Sequence, residues 1–233
     1  MATFALVHGA WHGAWCWERL TPELEAHGHR VVTMDLPCED GSLSFDDYAE
    51  TVCAAVEGVD GEELVLVGHS LAGLTIPLVA SRRPVRQMVY LCALLPIPGT
   101  SLAQQMSEDS EMLDPDYPKG LSAKDSEGRR TWIDKQLACH HMYGDCDDGT
   151  ASAAVARIRP QATKPYRLPC SLAELPVVAS TYVVCTEDRI VNPQWSRRIA
   201  HERLGADVVE MPGSHSPFLS RPKALAEVLD GVA

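Results

Sequence analysis

The sequence predicts an α/β protein: a mostly parallel sheet of about six strands, helices on both faces, and a small helical cap. Three observations carry this expectation. Apolar, β-branched runs such as Leu64-Val65-Leu66-Val67 alternate with helical segments, the mark of parallel strands buried on both faces. One run ends in Gly68-His69-Ser70-Leu71-Ala72-Gly73 and leads straight into a helix-like segment. The alternation breaks once, between residues 97 and 172.

In chain order, Thr3-Phe4-Ala5-Leu6-Val7 places the first strand at 3–8, and His8-Gly9 marks its exit. A helix over about 16–27 meets the turn His27-Gly28-His29, and Val31-Val32 put a strand at 30–34. Helix 45–58, strand 64–68, helix 71–82 and strand 87–93 follow. Pro77 falls inside the helix at 71–82, where it should remove a backbone hydrogen bond and bend the axis. Strand 177–185, helix 193–203, strand 206–211 and helix 221–231 complete the pattern. The interval 97–172 begins among Pro96, Pro98 and Gly99 and runs through acidic, amphipathic segments to Pro160, Pro165 and Pro169. It reads as a cap inserted between two strands, leaving 1–96 and 173–233 as the core. Its apolar residues, Met106, Met112, Leu113 and Trp132 among them, either seal onto the core or line substrate pockets.

Composition narrows the function. At 233 residues, with 45% hydrophobic and 22% charged content, one catalytic domain with a full core is expected. A net charge of −12 argues against nucleic acid and anionic membranes as partners. No signal-like leader precedes the first strand and no apolar run approaches a membrane span, so a cytoplasmic location is expected. The eight cysteines are scattered, several lie within predicted strands or helices, and no C-x-x-C occurs. Buried free thiols fit this better than disulfides or zinc. The sequence leaves the oligomeric state open, with a homodimer among the options.

The chemistry centres on Gly-x-Ser-x-Gly. A serine on a tight strand-to-helix turn exposes its hydroxyl at the sheet edge, beside N–H groups that can hold an oxyanion. That hydroxyl needs a base, and the base needs a carboxylate to fix its tautomer. On this architecture the chain order is serine, acid, histidine. His215 lies in the loop after strand 206–211, and Asp188 follows strand 177–185, with Glu187 as its near rival. The earlier strand, 87–93, runs into Ala93-Leu94-Leu95-Pro96 and offers no carboxylate. Ser70, Asp188 and His215 are therefore the expected catalytic set. The N–H groups of Leu71 and Ala10 are the expected oxyanion donors. Among the nine histidines, His27 and His29 read as solvated, and His201 sits on a mixed-charge helix face. His140 and His141 are adjacent and make a poor ligand pair, and His69 packs beside its strand. Trp11, Trp15 and Trp17 read by default as core packing.

With these pieces placed, the chain resembles the α/β-hydrolase superfamily, specifically the plant methylesterase and hydroxynitrile lyase branch and its bacterial relatives. The resemblance rests on the run from His8 to Trp17, on Gly28-His29-Arg30-Val31-Val32, and on the serine motif. Tyr143-Gly144-Asp145-Cys146 and Thr186-Glu187-Asp188 extend it over nearly the full length. It implies the α/β-hydrolase fold, the roles assigned above to Ser70, Asp188, His215, Ala10 and Leu71, and no metal or cofactor. The lyases resemble one another in a threonine at the position of Gly9 and a lysine directly after the catalytic histidine, where this chain has Ser216. Esterases of the branch have glycine at the first position, as here. Ser216 departs from the methionine common in the plant esterases. The expectation is thus a cofactor-free serine esterase for small carboxylic esters, with methyl esters among the candidates. A lyase or lactone-opening enzyme on the same triad, an acyl transferase, and a non-catalytic small-molecule receptor are the alternatives.

Overall fold

A computed structural model describes residues 1–233. The apolar runs form β1 (Thr3–Val7), β2 (Arg30–Thr33), β3 (Leu64–His69) and β4 (Gln87–Leu91). Two short strands, β5 (Arg129–Arg130) and β6 (Gln161–Ala162), precede β7 (Ser180–Cys185) and β8 (Asp207–Met211). The main sheet has six strands in the order β2-β1-β3-β4-β7-β8, all pairs parallel. Every residue of β1 and β3 is buried, as expected of central strands covered on both faces.

The covering helices are α1 (Thr21–Ala26), α2 (Phe45–Ala55), α3 (Ile76–Ala80), α7 (Pro193–Ile199), α8 (Pro217–Ser220) and α9 (Pro222–Gly231). Helix α1 packs on α9, and α2 packs on α3. Between β4 and β7 lie α4 (Leu102–Glu108), α5 (Lys135–Met142) and α6 (Asp148–Val155). Their first turns are secured by Ser101, Asp134 and Asp147, whose side chains accept backbone N–H groups that would otherwise be orphaned. No helix is long and apolar enough to cross a membrane.

Register sets the site. Val7 pairs with Gly68 across β1 and β3, so the loop after β1 leaves the sheet beside His69 and Ser70. Cys185 pairs with Met211 across β7 and β8, which puts the loops carrying Asp188 and His215 side by side. All three loops thus leave the carboxyl edge of the sheet, where ligands bind in open α/β folds.

Several boundaries differ from the sequence-based expectation. The helix expected at 16–27 is a 3₁₀ turn, Ala14–Trp17, followed by α1. The helix expected at 71–82 is likewise in two pieces: a 3₁₀ turn, Ser70–Leu74, and then α3. Pro77 therefore lies in the first turn of α3, where an N–H has no helical partner to lose. The strand expected through residue 93 stops at Leu91, because Cys92 turns to φ 48°. The strand expected from residue 177 begins at Ser180, after Pro176 and a fully exposed Val177. The antiparallel pair β5–β6 was not foreseen; at two residues per strand it leaves almost no periodicity to read.

Candidate active site

Ser70 follows the last residue of β3 and is one of three non-glycine residues with positive φ, at 53°. That conformation costs roughly 1–3 kcal/mol and persists only where its surroundings enforce it. The flanking glycines explain how. A Cβ on Gly73 would stand 2.1 Å from the carbonyl oxygen of Leu94, so only glycine lets the turn rest on the chain leaving β4. A Cβ on Gly68 would press on Ala72 and Ile76. The Leu94 N–H then donates to the Ser70 carbonyl at 2.9 Å and fastens the turn.

Asp188 and His215 arrive on neighbouring loops that are tied together. Thr186 donates to the Met211 carbonyl and Glu187 to the Gly213 carbonyl, each at 3.0 Å. Asp188 is buried, and its Oδ1 accepts the Ile190 and Val191 N–H groups at 2.8 and 3.1 Å. Its Oδ2 accepts His215 Nδ1–H at 2.8 Å. That bond leaves His215 Nε2 as an acceptor, 3.0 Å from Ser70 Oγ. The structure thus joins Ser70, His215 and Asp188 in one hydrogen-bonded line. Glu187 points to solvent instead.

The loop after β1 completes the site. Gly9 sits against the serine turn: a Cβ there would lie 2.8 Å from Ser70 Cβ and 2.9 Å from the His69 carbonyl. His8 holds the loop from behind, donating from Nδ1 to the Gly9 carbonyl and accepting the Leu36 N–H at Nε2. Burial pushes its pKa down to about 4, so the ring is neutral. The N–H groups of Ala10 and Leu71 donate to no protein acceptor, and both residues line the same cavity as Ser70.

Sequence reasoning missed four features. Trp11 packs in the core as expected, but its backbone turns to φ 64° and it also lines the cavity, its indole donating to the Arg130 carbonyl at 3.1 Å. His29, expected to be solvated, is pinned between the Ala2 N–H and the Asp230 carboxylate; His27 pairs with the same carboxylate. His69 does pack beside the sheet, but its Nε2 also donates to the His215 carbonyl at 2.8 Å. Asp145, from the insertion, accepts the Ser214 hydroxyl and Arg221 Nε–H, tying that segment to the loop of His215. The Tyr143-Gly144-Asp145-Cys146 match was the one signal that could have found it. His140 and His141 have perpendicular rings, and each bonds Arg189 by a different route.

The cavity above Ser70 holds about 330 Å³ and is mostly apolar. Its outer wall comes largely from the 97–172 segment, including Leu102, Met106, Leu113 and Tyr117. Residues 4–228 match the pattern of the alpha/beta hydrolase family. The chain belongs to this family. Within it, the chain is 29% identical to a probable esterase, PIR7A, of Oryza sativa subsp. indica, over 99% of this chain and 96% of that protein. It is 28% identical to Methylesterase 2 of Arabidopsis thaliana, over 99% and 95% of the two chains. A pyrethroid hydrolase from Sphingobium faniae JZ-2 has the same alpha/beta hydrolase fold, with a TM-score of 0.84 at 24% identity, covering 99% of this chain and 96% of that one. A buried hydroxyl, an imidazole and a carboxylate in line, with N–H groups lacking protein acceptors in the same cavity, can attack an acyl carbon and hold the oxygen that becomes negative.

Proposed function

We propose that this chain is a serine carboxylesterase that cleaves small carboxylic esters, methyl esters among them, through an acyl-enzyme on Ser70. The observation that carries the reading is the line from Ser70 Oγ through His215 to Asp188 at the floor of an apolar cavity. Relatives named esterase and methylesterase along the whole chain support it.

In this reading Ser70 Oγ attacks the acyl carbon as its proton passes to His215 Nε2. Asp188 stabilises the imidazolium through Nδ1–H, and the Ala10 and Leu71 N–H groups hold the oxyanion. His215 then gives the proton to the departing alcohol and draws one from water for deacylation. The 97–172 segment acts as the cap that excludes bulk water. Lyase chemistry of the related kind is disfavoured, because Ser216 is fully buried beside His215 and places no cation there. Eight unpaired cysteines fit a reducing cytoplasm.

A panel of p-nitrophenyl esters of graded acyl length, run beside methyl esters, tests the proposal. Ser70→Ala should fold normally and lose kcat by on the order of 10⁶. Activity within tenfold of the wild type would reject it.

A further inference from the structure

The cavity carries a charge pattern that ester hydrolysis alone does not require. Aspartate and glutamate outnumber lysine and arginine 32 to 20 in the chain, yet no carboxylate lines the cavity. Three cations do: Lys124, Arg130 and Arg167. None has a carboxylate within ion-pair distance, whereas most other arginines of the chain do. The nearby acids are occupied elsewhere. Asp125 and Glu127, on the same hairpin, both bind Arg129.

Arg130 is the best placed of the three. It is half-buried, and its Nε–H donates to the Ser122 carbonyl at 2.8 Å, which fixes the guanidinium while leaving its terminal N–H groups without protein acceptors. Its own carbonyl accepts the Trp11 indole, so the residue is anchored at both ends. The charge reaches the Tyr117 and Tyr166 hydroxyls, opposing the burial that raises both tyrosine pKa values. Lys124 and Arg167 are exposed and stand at the solvent side of the cavity, whereas Ser70 is buried at its floor. The cavity lining therefore brings together the buried serine, an apolar wall, an unpaired and half-buried guanidinium, and two further, exposed cations.

We infer that this enzyme selects esters carrying an anionic group at the end remote from the scissile bond, and that Arg130 is the residue that reads it. Half-esters of dicarboxylic acids are the simplest members of the class: ester carbonyl at Ser70, apolar chain along the wall, carboxylate at Arg130. A guanidinium binds a carboxylate through paired, charge-assisted hydrogen bonds, and an otherwise acidic surface confines that attraction to the cavity mouth. The inference rests on the esterase reading for its turnover assays and is independent of it for binding.

The test compares monomethyl suberate with methyl nonanoate, which has a similar length and no charge. The wild type should favour the half-ester in kcat/KM by on the order of tenfold, mainly through KM, as expected of a hydrogen bond to a charged group. Raising the salt concentration should shrink that preference. Arg130→Gln keeps the backbone bond to Trp11 and should abolish the preference. Calorimetric titration of monomethyl suberate into Ser70→Ala should show binding that the added Arg130→Gln change weakens by on the order of tenfold. Equal kcat/KM for the two esters in the wild type, or a preference that survives Arg130→Gln, would overturn the inference while leaving the esterase reading intact. Absence of turnover on every ester with half-ester binding retained would sink the esterase reading alone. Absence of half-ester binding would overturn the inference even so.

Discussion

His69 Nε2–H donates to the carbonyl oxygen of His215 at 2.8 Å, so the residue just before Ser70 grips the backbone of the residue that faces it. The two rings lie 4.7 Å apart, and both are buried. Ser70 and His215 are thus fixed to each other twice, once through Ser70 Oγ and once through this neighbour. His69→Phe keeps the bulk and removes the donor. The unpaired His215 carbonyl should lower unfolding stability by about 1–3 kcal/mol in urea. Looser placement of the base should reduce kcat by roughly tenfold to a hundredfold with KM little changed. A KM rise at constant kcat would mean that His69 acts on substrate binding instead.

Asp188 and Glu187 are consecutive but face opposite ways, one buried on His215 and the other in solvent. Asp188→Asn should lower kcat by on the order of 10⁴ through loss of the correct imidazole tautomer. Glu187→Gln should change kcat less than twofold. Steady-state kinetics of the two variants decide the matter, and a reversed order would require a different acid.

Gly9 is held at van der Waals limits by the serine turn, so any side chain must push the loop carrying the Ala10 N–H away from Ser70. Gly9→Ala should therefore reduce kcat by on the order of 10², the loss seen when one oxyanion donor is displaced. Labelling of Ser70 by a fluorophosphonate should slow in parallel. Full activity in this variant would separate Ala10 from the oxyanion site.

His8, His12 and His69 form a buried cluster beside His215, and burial depresses all three pKa values, that of His8 to about 4. The unfolded chain binds protons at these rings below about 6.5, while the folded chain does not until far lower pH. Stability should consequently fall as pH drops from about 6.5 toward 4, by about 1.4 kcal/mol per pH unit for each ring that stays neutral. Urea midpoints measured between pH 7 and 5 check this in a range where carboxylates stay ionised. A midpoint that is flat or rises on acidification would contradict it.

Much of this site was legible in the sequence because its parts are local. The glycines around Ser70, the apolar run before it and the loops after 177–185 and 206–211 are contiguous patterns, and chain order sorted Asp188 and His215 from their rivals. Pro77 misled because a helix that breaks at Thr75 and restarts looks continuous in a periodicity. Trp11 is buried in the core, as an aromatic's default suggests, but nothing local signals that its backbone turns to φ 64° or that it also faces the cavity. The bonds from Asp145 to Ser214 and from His69 to His215 join positions 69 and 146 residues apart, and no local spacing encodes them. The three cations of the cavity lining, Lys124, Arg130 and Arg167, likewise come from separate stretches of the insertion.

The central claim is that Ser70 carries the acyl group. Rapid-quench intact-mass analysis with p-nitrophenyl acetate, followed by peptide mapping, tests it most directly. One acetyl group per chain should form in the first turnover, map to Ser70, and be absent from Ser70→Ala. An acetyl group on another residue that forms and decays at the turnover rate, or steady turnover by Ser70→Ala, would contradict the account.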